Sequence, residues 1–262
     1  MKRGKRKTGQ ISVFIILAIV IVAAGGIAFF MANNKSNTNV FNDPSTKPQY
    51  EDLLGSIEDC TKSLSMDALD TIGIQGGYYN APKESFDLGW AFIPYYYKEG
   101  NLLMPATTVI ENELGAFVDD NIEYCLESID KQGFDVSYDA TKSKTISSIS
   151  NGRVDFKIDI PISIKKESKS AKLELEEMPV AIDSKLYEMI EIARFITDSH
   201  KEDPEMMCIS CVADMAMERN LYVDMLDFGD NTTTLIVISQ NATESYPMVF
   251  EFLNKYKEET LE

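Results

Sequence analysis

Cys208-Ile209-Ser210-Cys211 is the stretch whose residue types and spacing could do chemistry most directly. Two thiols two residues apart at the start of a helix can close a disulfide, and the helix N-terminus lowers the pKa of a thiol placed there. Such a pair could exchange electrons with another dithiol. The same spacing suits a static bridge, or two cysteines that pair instead with Cys60 and Cys125. Four cysteines allow several connectivities, and spacing does not choose among them. A thiolate zinc site would require all four to converge. The static reading leads, because a thioredoxin-like motif follows a strand and residues 183–200 carry a helical pattern instead.

The second constellation is aromatic. Trp90, Tyr95, Tyr96 and Tyr97 crowd into a segment that also holds Tyr78, Tyr79, Phe86 and Phe92. Exposed, they would stack on sugars or form a partner surface; buried, they would be the core of a hairpin, since aromatic residues favour strands. The carboxylates at Asp119-Asp120, Glu174, Glu176 and Glu177 have no accompanying motif and read as solvated faces. Asp227 to Asn231 lacks the ligand pattern of a calcium loop, and Gly76-Gly77 has neither the lysine nor the spacing of a phosphate loop. His200 is the sole histidine, which restricts histidine-based catalysis and metal binding. The sequence therefore offers no catalytic set, no metal site and no cofactor motif. A non-enzymatic binding or assembly protein is expected.

Periodicity shows which elements would hold these residues. Leu53, Ile57, Cys60, Leu64, Ala68 and Ile72 share one face of a helix, and Val118, Ile122, Cys125 and Ile129 share a face of a second, with Thr108 and Glu111 spaced as a capping box. Tyr78 to Met104 reads as a hairpin turning at Lys98-Glu99-Gly100-Asn101, with Pro94 placing its strand at an edge or bulge. Phe134 to Met178 alternates as an antiparallel meander around an Asn151-Gly152 turn. Asp183 or Ser184 caps a helix to about His200, and Asp203-Pro204-Glu205 opens another carrying Cys208 and Cys211. Residues 222–226 and 234–239 form a second hairpin, with a last strand over 248–253. The expected fold class is α+β, helices packed on antiparallel sheet.

The N-terminus sets the expected location. Residues 10–32 carry no charge and follow Lys2, Arg3, Lys5, Arg6 and Lys7. About twenty apolar residues in a helix cross a bilayer core, and the basic flank keeps the N-terminus cytoplasmic. A signal-anchored, single-pass protein is expected: basic leader 1–9, transmembrane helix 10–32, flexible linker 33–48, and an extracytoplasmic domain over 49–262. Cleavage of a secretory signal near Val22-Ala23-Ala24 is the competing reading. The net charge of −17 understates the acidity of the expected ectodomain, since five basic residues lie in the leader. Such a surface repels nucleic acid. The even cysteine number suits disulfides outside the cell, and Asn34, Asn231 and Asn241 open Asn-x-Ser/Thr glycosylation sequences.

The leader, with Thr8-Gly9-Gln10-Ile11-Ser12-Val13-Phe14 entering an apolar helix, resembles the class III (prepilin-like) leader of archaeal type IV pilins and related surface proteins. That resemblance implies processing between Gly9 and Gln10, although the family usually carries a charge where Thr8 stands. The whole chain also resembles uncharacterised single-span surface proteins of small-genome archaea, which share an element like Gly76-Gly77-Tyr78 and a late pair like Cys208 and Cys211; no activity comes with the likeness. The expected function is that of a membrane-anchored surface protein acting in binding or assembly, pilin-like in its attachment. A membrane-anchored thiol–disulfide oxidoreductase using Cys208 and Cys211, or a carbohydrate-binding module, are the alternatives. Expected partners are the lipid bilayer through residues 10–32 and a protein or glycan at the cell surface.

Overall fold

Apolar residues at three- and four-residue steps place the first helix, α1 (Lys47–Ile74), with Leu53, Ile57, Leu64, Ala68 and Ile72 buried along one face. Pro48 sits in its first turn, where a missing N–H costs nothing. Gly76 and Gly77, at φ 52° and 87°, reverse the chain after it. The computed structural model of the protein describes residues 41–202, 208–241 and 247–256. The other helices are α2 (Thr107–Ser128), α3 (Leu186–Glu202) and α4 (Ile209–Glu218).

The fold is α+β, but a transmembrane helix is not among its elements. Among the described residues no helix is long and apolar enough to cross a membrane. The longest, α1, carries Glu51, Asp52, Glu58, Asp59, Lys62, Asp67 and Asp70 on the face opposite its apolar stripe, so it is built to lie on a core with water on the other side. The expectation of a single-pass, signal-anchored membrane protein is corrected accordingly, and its apolar stretch, residues 10–32, lies outside the described residues. So does the leader, with Gly9 and Gln10. Of the linker expected over 33–48, residues 41–48 are described. Phe41 is buried, its ring 5.0 Å from Tyr50 and 5.2 Å from Phe134, so the chain joins the domain by residue 41.

The strands form three sheets. The largest has the order β1 (Ser85–Asp87), β2 (Phe92–Lys98), β12 (Val249–Lys255), β11 (Asp230–Gln240) and β10 (Leu221–Phe228), with the short β3 (Asn101–Leu102) also on β2. All its pairs are antiparallel except β12 with β2, which is parallel. Pro94 therefore lies in an interior strand rather than at an edge, and the bulge alternative is met close by, where Leu253 and Asn254 of β12 face Tyr95 and Tyr97 of β2. The pairing of β2 with β12 begins only at Tyr95, so the absent N–H of Pro94 leaves no gap in that ladder. The turn expected after Lys98 is present, with Glu99 and Gly100 both at positive φ, yet β3 is only two residues long.

The meander expected over 134–178 divides into two sheets. One is β4 (Asp135–Tyr138), β7 (Pro161–Lys166) and β8 (Lys169–Glu174); the other is β5 (Lys144–Ser150), β6 (Arg153–Asp159) and β9 (Val180–Asp183). Pro161 marks the corner where the alternating run Val154 to Ile164 passes from one sheet to the other. Ser150 faces Arg153 across the two-residue Asn151-Gly152 turn.

Helix α3 packs against β2, β11 and β12 on one side and β5 and β6 on the other, so its residues Leu186, Met189, Ile190, Ala193 and Ile196 are the centre of the core. Helix α2 lies along the edge strand β5. Its expected capping box does not form: Ala106 is the N-cap and makes no side-chain bond. Glu111 instead accepts the Ile149 N–H at 2.9 Å, and Asp119 accepts the Thr145 N–H at 3.2 Å. Between them, Gly115 brings the helix backbone so close that an added Cβ would meet the Thr145 carbonyl at 2.7 Å. Glu111, Gly115 and Asp119 are four residues apart and span about 12 Å along a helix, close to the ~13 Å between Thr145 and Ile149 on a strand.

Candidate functional site

The four cysteines form two separate bridges. Cys60 of α1 is joined to Cys125 of α2, with Cα atoms 5.7 Å apart, and Cys208 is joined to Cys211 across the start of α4, with Cα atoms 5.2 Å apart. Two separate pairs leave no four-thiolate set for zinc. The first bridge lies between two helices that pack face to face, and Cys125 is buried. The second is at the surface. Cys208 is the exposed N-cap of α4, and its sulfur accepts the Cys211 N–H at 3.2 Å and lies 3.5 Å from the Ser210 hydroxyl. The helix expected to open at Asp203 starts, within the described residues, at Ile209, and residues 203–207 lie outside them.

The aromatic constellation is split by the structure. Tyr96 is fully buried, stacked on Phe252 at 4.4 Å with its hydroxyl donating to the Gly76 carbonyl at 2.9 Å. Burial pushes its phenol far above the ordinary range. Tyr97 is also buried, with Ile93 and Leu253 apart from the main core. These two tyrosines are packing residues. Trp90 is the opposite: at the turn joining β1 to β2, it is 79% exposed. That turn is held by the Leu88 N–H on the Ala91 carbonyl and the Gly89 N–H on the Asp87 carboxylate. Phe86 and Leu88 beside it are exposed too, and the Phe86 ring meets Phe228 edge-on at 4.9 Å. Phe228 ends β10, whose Tyr222 and Leu226 are more than half exposed. The Phe86–Phe228 contact thus joins the exposed apolar residues beside the Trp90 turn to the end of β10.

Tyr95 takes a third role, lining a cleft of about 590 Å³ with Tyr78, Lys83, Glu84, Lys98 and Asn101. Lys98 pairs with Glu84 and lies 4.9 Å from the Tyr95 ring centre. The hydrogen bond from Lys98 and then its charge hold the Glu84 carboxyl below the usual carboxylate range. Burial, and after it the Glu113 carboxylate, raise the Tyr78 phenol. Aromatic rings beside paired charges suit a ligand carrying both hydroxyls and apolar faces. Sequence reading missed Glu84 and took Tyr78 only as part of the aromatic run and Lys98 only as a turn residue, because the loop over 78–84 returns to β2 only in three dimensions.

Of the carboxylates expected on solvated faces, Asp119 bonds Thr145, and two carboxylates outside that expectation also find roles. Glu113 accepts the N–H groups of Tyr79 and Asn80, both at 2.9 Å, which fixes the loop above the cleft. Glu188, in the first turn of α3, is buried; Lys185 donates to one oxygen at 3.2 Å and the other makes no hydrogen bond. Among the described residues no group of three or more His, Cys, Asp or Glu side chains is placed to hold a metal. Asn231 is the second residue of β11 and Asn241 directly follows that strand, whereas Asn34 lies outside the described residues. No protein-family profile, curated protein or solved structure matches the chain.

Proposed function

We propose that this chain is an extracytoplasmic surface protein whose α+β domain acts in binding or assembly, through the aromatic surface centred on Trp90. The observation that carries this reading is the exposure of Trp90 at a turn whose backbone is hydrogen-bonded in place, beside Phe86, Leu88 and the outward residues of β10. A turn whose backbone is already fixed has less conformational freedom to lose when a partner covers it, and tryptophan is a frequent centre of such contacts. Pairing of all four cysteines in disulfides supports a place outside the cytoplasm. The partner is a protein or a glycan at the cell surface.

The test is binding of the purified protein to isolated cell envelopes, together with sedimentation to follow self-association. Trp90→Ala should weaken whichever interaction is seen by a factor of about 30 or more, as hot-spot truncations do, with an unchanged circular dichroism spectrum. Protease treatment of the envelopes that abolishes binding identifies a protein partner, and periodate treatment that abolishes it identifies a glycan. Equal behaviour of wild type and Trp90→Ala rejects the reading.

A further inference from the structure

We infer that Cys208–Cys211 is a thiol-exchangeable disulfide that accepts two electrons from a dithiol in an apolar segment of another protein. The inference goes beyond the surface reading and stands on different residues. Three observations on α4 converge. The disulfide is at the surface, with Cys208 exposed, whereas the other bridge lies between packed helices with Cys125 buried. The Cys208 sulfur already accepts the first-turn N–H of Cys211, so a thiolate left at Cys208 meets a donor and the positive end of the helix dipole. Finally, Val212 and Ala216 bury the inner side of α4, while Ile209, Ala213 and Met217, four residues apart, form an exposed stripe; Ile209 and Met217 are each 69% exposed. That stripe begins between the two cysteines, where an attacking segment has to lie.

The chemistry closes on itself. A thiolate of the partner attacks the exposed Cys208 sulfur; the Cys208–Cys211 bond breaks and Cys211 leaves with the electron pair and takes up a proton. The partner's second thiolate then attacks the partner sulfur of the mixed disulfide, and Cys208 leaves as a thiolate beside the Cys211 N–H. The partner has lost two electrons and two protons and gained a disulfide; Cys208 and Cys211 hold both electrons, Cys211 carries one of the protons, and the other is released to water while Cys208 stands as the thiolate.

The experiment uses the full chain and two probes, dithiothreitol and a leucine-rich peptide with two cysteines. Graded dithiothreitol followed by alkylation and peptide mass mapping should open Cys208–Cys211 at a concentration at least about tenfold below that for Cys60–Cys125. Cys211→Ser, mixed with the oxidised peptide, should accumulate a mixed disulfide at Cys208, and Cys208→Ser should accumulate far less. Ile209→Asp with Met217→Asp should slow exchange with the peptide by about tenfold or more and leave exchange with dithiothreitol unchanged, a split that a merely structural bridge does not produce. An intact Cys60–Cys125 bridge in every variant serves as the folding control. Opening of both bridges together, or absence of the mixed disulfide, overturns the inference, and equal peptide rates for the double Asp variant overturn the docking stripe.

Discussion

Asp119 and Thr145 are joined twice: the Thr145 N–H donates to one carboxylate oxygen at 3.2 Å and its hydroxyl to the other at 2.7 Å. With Glu111 on Ile149 two turns along the same stripe, α2 supplies hydrogen bonds that a neighbouring strand would give β5, which otherwise ends its sheet. Asp119→Ala and Glu111→Ala should each cost about 1–3 kcal/mol in urea unfolding, the range for stranding a charge-assisted bond. The double variant should also associate at high concentration through the uncovered edge, which light scattering reads. A fully stable, monomeric double variant would show that water replaces the carboxylates without loss.

Gly115 and Gly55 form a matched pair of tests within helices. At Gly115 a new methyl would meet the Thr145 carbonyl at 2.7 Å, whereas at Gly55 nothing lies within 4 Å. Gly115→Ala should therefore lose about 1–3 kcal/mol as α2 is pushed off β5. Gly55→Ala should gain about 0.5–1 kcal/mol from helix propensity alone. Equal effects in chemical denaturation would mean that the close approach at Gly115 is not a constraint.

The two disulfides should differ in stability. Cys60–Cys125 joins residues 65 positions apart, and a loop of that length corresponds to about 4 kcal/mol of denatured-state restriction. Cys208–Cys211 joins residues three apart and is worth less than about 2 kcal/mol by the same relation. Urea midpoints of Cys60→Ser with Cys125→Ser should fall well below those of Cys208→Ser with Cys211→Ser. The reverse order would count against the first bridge as the main staple.

Glu251 makes acid stability measurable. It sits half-buried on β12 opposite Val237, and burial raises its carboxyl pKa above the ordinary value. The folded protein thus holds this proton more tightly than the unfolded chain does. The group costs nothing below the unfolded value of about 4.3, and its penalty grows as pH rises through the folded pKa. Glu251→Gln should be more stable than wild type at pH 7, with the gap closing as pH falls toward 4. A gap independent of pH would assign the effect to packing instead.

Much of the fold was legible in the sequence where one period and one signal agreed. The α1 and α2 stripes, the Asn151-Gly152 hairpin and the Ser184 cap, whose oxygen accepts the Leu186 N–H at 3.2 Å, all follow from local patterns. What was not legible depends on neighbours remote in sequence. Alternation over Val154 to Ile164 is the same whether one sheet or two results, and only Pro161 hints at the corner. Tyr95, Tyr96 and Tyr97 look alike as a run, yet β2 is covered on both faces, so two of them are packed away and the third lines a cleft. Glu111 carries the spacing of a helix cap, and its actual partner lies 38 residues on. The cleft itself was invisible because Glu84 and Lys98 meet only when β1 lies on β2.

The last strand among the described residues, β12, occupies the middle of the largest sheet, between β2 and β11. A chain made or exported from its N-terminus cannot finish that sheet until Lys255 has emerged. Until then β2 has no parallel neighbour, the Tyr96–Phe252 stack has no second ring, and Ile236 and Ile238 of β11 lack Phe252 and Phe250 opposite them. Helix α1 waits too, since Gly73 and Gly76 are shaped to the carbonyls of Val249 and Glu251. Completion of this domain is therefore a single late event, and a chain truncated before Val249 should be cleared by proteolysis as an unfinished product instead of persisting as a shorter fold.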